Sequence, residues 1–95
     1  MTTPPLPPLR ADQAEVLRTL GTWRNDYRPY LRTVARDCAL PAERVRAVIR
    51  YFHSLGWVTY GQVFDTDTAL VAGSTWWLTE KGCAARDQLN AEGMA

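Results

Sequence analysis

The chain is poor in the residues on which most small-protein chemistry depends. Of its 95 residues one is histidine, two are cysteine and one, Lys81, is lysine. A zinc site needs about four nitrogen or sulfur ligands at close spacing, and Cys38, His53 and Cys83 do not supply them. No glycine-rich phosphate loop occurs. Asp65 and Asp67 begin like a calcium loop, but Leu70 stands where its glycine belongs and Trp76 where its glutamate belongs,. Neither thiol carries a sign of activation, and both lie in apolar helical patterns that suit buried, reduced cysteines. The sequence therefore marks no catalytic residue, no metal site and no cofactor. No apolar run is long enough to span a membrane, and the N-terminus lacks the basic start and apolar stretch of a secretory signal. A reducing cytoplasm is the expected setting.

The remaining composition is globular: 46% hydrophobic, 22% charged and ten aromatics, four of them tryptophan,. Net charge is only +1, yet it is unevenly spread. From Trp23 to Arg50 seven arginines face three acids, whereas from Leu55 onward two cations face five acids. Arginine outnumbers lysine ten to one. That bias suits bidentate contacts to phosphate and guanine, although a GC-rich genome produces it too.

The strongest periodicity runs from Pro41 to Gly56. Val45, Val48, Ile49, Phe52 and Leu55 recur at the spacing of a buried helical face,. Pro41 suits a first turn and Gly56 a helix end. The opposite face carries Glu43, Arg46, Ala47, Arg50 and Ser54, with Arg44 on its shoulder. An arginine-rich front with a flat alanine at its centre has the form of a helix that enters a DNA major groove; it also has the form of an ordinary solvated helix face.

Around this stretch the chain divides simply. Residues 1–9 are predicted as a mobile Pro-rich arm, in which Pro5, Pro8 and Arg10 match a polyproline-groove ligand only by chance. Residues 10–92 are predicted as one domain. Ala11–Thr22 reads as a first helix with Ala14, Leu17, Leu20 and Gly21 inward, and Trp23–Pro29 as a connection,. Tyr30–Ala39 reads as a second helix with Leu31, Val34, Ala35 and Cys38 inward. Two short helices, a tight turn and a longer basic helix make a helix-turn-helix. Trp57–Phe64 then shifts to strand residues. Asp65, Thr66, Asp67 and Thr68 form a turn, and Ala69–Val71 and Ser74–Leu78 are strand again, with Ala72 and Gly73 as a bulge or corner,. Of the adjacent Trp76 and Trp77, one is expected in the core and the other outside it. Thr79 caps a last helix, Glu80–Asn90, whose inward Gly82, Ala85 and Leu89 require close packing,.

Three strings in this order resemble bacterial winged-helix regulators of the MarR and PadR kind. Val45–Tyr60, VRAVIRYFHSLGWVTY, is similar to a recognition helix turning through Leu-Gly into a wing strand. An aromatic and polar hairpin follows. Trp76–Gly82, WWLTEKG, is similar to the second wing strand and the start of the next helix. The resemblance covers about residues 9–90 and implies an α+β winged helix-turn-helix with a three-helix core, a hairpin wing and a C-terminal helix. It implies a small regulator that binds double-stranded DNA, as a homodimer. Glu43, Arg44, Arg46, Ala47 and Arg50 would occupy the groove, and Arg28, Arg32 and Thr33 would take phosphates. The wing departs from the pattern, because Asp65 and Asp67 stand where cationic residues usually meet phosphate. That departure supports an alternative of another class: a winged-helix interaction module, an adaptor or inhibitor of another nucleic-acid machine, with a protein partner at the acidic wing and no DNA.

Overall fold

A computed structural model describes residues 6–24, 28–64 and 71–93. Its elements run α1 (Ala11–Thr19), α2 (Leu31–Cys38), α3 (Ala42–Ser54), β1 (Val58–Phe64), β2 (Val71–Leu78) and α4 (Glu80–Gly93). The architecture is therefore the α+β winged helix-turn-helix that the periodicities and the resemblance predict. The turn expected at Asp65, Thr66, Asp67 and Thr68 lies outside the described residues.

The arm expected over residues 1–9 is docked in its second half. Leu6 and Leu9 pack against the core, because two leucines gain more from apolar contact than from water. α1 begins where the Gln13 side chain accepts the Arg10 backbone N–H at 2.8 Å, the reciprocal half of a capping box. It ends at Thr19, three residues earlier than expected. Leu20 is already extended, and Gly21 to Trp23 pair with the wing instead. Leu78 N–H donates to the Gly21 carbonyl (2.8 Å), and Trp23 N–H donates to the Leu78 carbonyl (3.0 Å). These bonds give a one-residue parallel bridge between Thr22 and Leu78.

α2 stops on Ala39 in the left-handed conformation, φ 55°, which tightens the turn into α3. The far end of α3 closes as a Schellman motif: Trp57 N–H reaches the Phe52 carbonyl (3.0 Å), and Gly56 N–H the His53 carbonyl (3.0 Å),. Gly56 has φ 75°, a conformation that costs other residues energy and glycine little.

The core gathers Val16, Leu17 and Leu20 beside α1, Val34 and Ala35 from α2, Val45, Val48, Ile49 and Phe52 from α3, and Trp57, Val58, Leu78 and Ala85 beyond it. Leu31 and Leu55, expected inside, are half-buried at its rim. The hairpin is antiparallel, with Val58 opposite Leu78 and Tyr60 opposite Trp76. Its register passes from Val63–Gly73 to Phe64–Val71, leaving Ala72 as the extra residue at the predicted bulge. α4 starts at Glu80 as expected and runs to Gly93, past the expected end at Asn90. The Thr79 hydroxyl accepts Gly82 N–H at 3.2 Å and donates to the Gly56 carbonyl at 2.8 Å. A side chain at Gly82 would place its Cβ 2.1 Å from the Trp57 carbonyl oxygen, so only glycine lets α4 lie this close.

Candidate nucleic-acid interface

α3 has 13 residues, about 20 Å of helix. Its apolar side is fixed by Phe52, fully buried against Trp57 with ring centroids 5.3 Å apart. The opposite side is consequently held outward: Glu43, Arg44, Arg46, Ala47 and Arg50 are all exposed. Thus the predicted groove residues lie on one open face.

The arginines on and around that face differ in how firmly they are held. Arg44 is tied back to α1, its Nη1 donating to Asp12 Oδ2 at 3.0 Å. That hydrogen bond, with Gln13 N–H and the charge of Arg10 adding to it, holds the Asp12 carboxyl below its usual pKa despite partial desolvation. Arg36 is paired with neighbouring Asp37 at 3.2 Å. Arg46 and Arg50 make no ion pair among the described residues, and Ala47 between them leaves the centre of the face flat. At the start of α2 the Arg32 guanidinium lies 4.9 Å from the Tyr30 ring centroid and its side chain is exposed, whereas Thr33 is half-buried.

Arg28 is held most firmly. Its Nε donates to the Thr22 carbonyl (3.3 Å) and its Nη2 to the Trp23 carbonyl (3.0 Å). The guanidinium lies 3.9 Å from the Trp77 ring centroid. Beside it the Thr75 hydroxyl donates to the Pro29 carbonyl at 2.9 Å. Arg28, predicted as a phosphate ligand, thus locks the α1–α2 connection onto the back of the wing.

Neither adjacent tryptophan enters the core, contrary to the expectation that one would. Both are half-buried: Trp76 packs against the core from its rim, and the fully buried residues of this strand are Thr75 and Leu78. Trp77 lies across Gly61 on the back, where an added Cβ would fall 2.2 Å from its Cη2. Trp76 lies on the front, 5.2 Å from the rings of both His53 and Tyr60. It also helps to line a shallow depression of about 250 Å³ with Leu31, Arg46, Ile49 and Arg50. Sequence reasoning missed this junction of α3 with the wing. The usable signals were His53, one turn beyond Arg50, and the strand register that sets Tyr60 opposite Trp76.

Among the described residues no three His, Cys, Asp or Glu side chains gather as a metal ion requires, and no helix is long and apolar enough to cross a membrane. The wing residues Asp65, Thr66, Asp67 and Thr68 lie outside the described part.

No family model and no curated protein matches the sequence. The fold, in contrast, matches solved structures. CouR from Rhodococcus jostii RHA1, solved bound to p-coumaroyl-CoA, superposes with a TM-score of 0.67 at 20% identity, over 87% of this chain and 54% of that one. A MarR family transcription regulator superposes with a TM-score of 0.64 at 14% identity, over 90% of this chain and 52% of that one. This chain spans about half the length of the proteins it resembles. The helix order, the wing and these superpositions together show a winged helix-turn-helix fold like that of these two proteins.

Proposed function

We propose that the chain binds double-stranded DNA as a homodimer and regulates transcription by occupying its site. The observation that carries this reading is the open front of α3, where exposed Arg46 and Arg50 flank Ala47 in sequence and make no ion pair among the described residues. Arginines so placed suit guanine edges in a major groove. Arg32 and Thr33 at the start of α2 would contact phosphate beside it, and Glu43 and Arg44 would border the groove at the N-terminal end of α3. Arg28 would act on the wing, since its guanidinium is engaged by Thr22, Trp23 and Trp77.

The interaction-module alternative draws support from the arginines already tied down, Arg28, Arg36 and Arg44, and from the acidic wing sequence. Titration against labelled DNA from upstream of the chain's own gene, with a scrambled duplex as control, separates the two readings. Specific binding that weakens on Arg46→Ala and Arg50→Ala supports DNA recognition. A lost guanine contact costs about 1–3 kcal/mol, and a lost phosphate contact lowers the salt slope by about 1. No affinity at low salt ends the DNA reading and leaves the interaction module.

A further inference from the structure

Tyr60 is 59% exposed, unusually open for a large ring in a strand. It stands 5.2 Å from Trp76, which in turn stands 5.2 Å from His53 at the end of α3. Three rings from three elements thus meet in one stepped aromatic shelf at the root of the wing, with His53 edge-on to Trp76 at 67° and Tyr60 tilted to it by 51°. The shelf is not a separate patch. Trp76 also lines the depression that Arg46 and Arg50 border, and among the described residues no carboxylate lines it. An aromatic surface joined to two arginines that make no ion pair among the described residues suits one polymer chemistry in particular. The cations track a phosphate backbone while the rings accept the flat face of a base, whatever its identity. A base still stacked in a duplex offers no such face.

We infer that the shelf of Tyr60, Trp76 and His53 holds an unstacked DNA base next to the duplex bound on α3, so that the preferred target is a duplex locally opened at one edge of the site. This inference rests on the DNA-binding reading of α3 and adds a second determinant to it. Cross-strand aromatic pairing alone would account for the Tyr60–Trp76 contact. It would not account for the continuity of the shelf with Arg46 and Arg50, nor for the exposure of the outermost ring.

The test uses the duplex from upstream of the chain's own gene and a set of the same duplexes carrying a three-base mismatch bubble stepped along it. Affinities are measured by anisotropy for the wild type, Tyr60→Val and Tyr60→Phe. Valine keeps the strand-forming character of the position without a ring, and the site is exposed, so the fold is retained. The expected result is a preference of about tenfold for one bubble position over the intact duplex, within the range that one base stacked on an aromatic ring contributes. Tyr60→Val should abolish that preference without changing affinity for the intact duplex, and Tyr60→Phe should keep it. Equal affinity for bubbled and intact duplexes overturns the inference and leaves α3 recognition standing. So does a bubble preference that survives Tyr60→Val. Failure of the wild type to bind any of these DNAs overturns both.

Discussion

Trp76 and Trp77 are neighbours in sequence, equally half-buried, and lie on opposite faces of the hairpin with different partners. Trp77, on the back of the hairpin, is covered: Gly61 leaves room beneath the ring, and Arg28 lies over it at 3.9 Å. Trp76, on the front, packs half-buried against the rim of the core, touches the rings of His53 and Tyr60, and opens onto a shallow depression. The arginines divide in the same way. Arg28 and Arg44 are drawn back onto carbonyls and a carboxylate, whereas Arg46 and Arg50 are left forward. The back of the molecule thus uses Trp77 and Arg28 in fixing the wing to the helices, whereas the front keeps Trp76, Arg46 and Arg50 available, with Arg44 on that face tied back to α1. Strand geometry alone forces the first half of this division, since successive side chains must point apart. The second half depends on what the chain lays over each face.

The comparison breaks most severely if the floor beneath both faces is removed. Phe52 is fully buried and packs on Trp57, and Trp57 leads directly into β1. Phe52→Ala should cost about 3–5 kcal/mol, and urea unfolding should show front and back tryptophans losing their environments in one transition. A midpoint close to wild type would mean that α3 does not support the wing through this ring.

Gly61→Ala tests the back alone. The new methyl would fall 2.2 Å from Trp77 Cη2, so the ring must swing away from the strand and leave Arg28. A cost of about 1–3 kcal/mol is expected, as for overpacking a filled site, with retention of the front shelf. The measurement is the melting temperature together with near-ultraviolet circular dichroism. An unchanged melting temperature would show that Trp77 is not held where it lies.

These two positions also show how legibility was distributed along the chain. Periodicity exposed the apolar side of α3, and local chemistry marked its ends. Gly56 closes the Schellman turn, while Thr79 caps α4 and Gly82 admits it against Trp57. Even the bulge at Ala72 was visible, since it interrupts a strand pattern beside a glycine. Contacts between distant segments left no local trace. Residues 20–22 continue a helical pattern in sequence, and only the edge of β2 diverts them. Leu31 and Leu55 carry the right period but stand at the rim, where the core has already closed. The candidate interface follows the same rule. The outward face of α3 was readable from spacing, because a helix fixes its own two sides. That Arg28 and Arg44 would be tied down, the latter to a residue 32 positions earlier, depends on tertiary approach that no spacing encodes. The shelf required the register of Tyr60 with Trp76, which the hairpin's length determines.

Arg28→Lys sharpens the comparison further, because it retains charge and removes the planar guanidinium. If Arg28 pins the wing, lysine loses both the flat stack on Trp77 and the paired donation to Thr22 and Trp23,. A loss of about 1–2 kcal/mol in chemical unfolding is expected. A phosphate contact would behave otherwise: stability would hold, and any DNA affinity would be nearly preserved. Lysine that matches arginine in stability would return Arg28 to the front side of the division.

The smallest effect concerns Arg44 and its anchor. The Arg44 hydrogen bond, chiefly, lowers the Asp12 carboxyl below its ordinary value of 3.8. A carboxylate whose pKa is depressed by folding binds its proton less readily in the folded chain than in the unfolded one. Its contribution to stability is therefore complete above the unfolded value and disappears as pH falls through the lower, folded value. The pair is solvent-accessible on the Arg44 side, and such pairs contribute little, so the effect should be slight at every pH. The measurement is the difference in urea midpoint between wild type and Asp12→Asn, followed from neutral pH down to acid. Wild type should be the more stable at neutral pH, and the gap should close below the ordinary carboxylate pKa. High salt should narrow it as well. Release of Arg44 also adds a forward-facing cation to α3, so Asp12→Asn should bind DNA at least as well as wild type despite its lower stability. Asparagine keeps the oxygen that accepts Gln13 N–H,, so a gap that persists unchanged at acid pH would show that the carboxylate's charge toward Arg44 is not what the substitution removes.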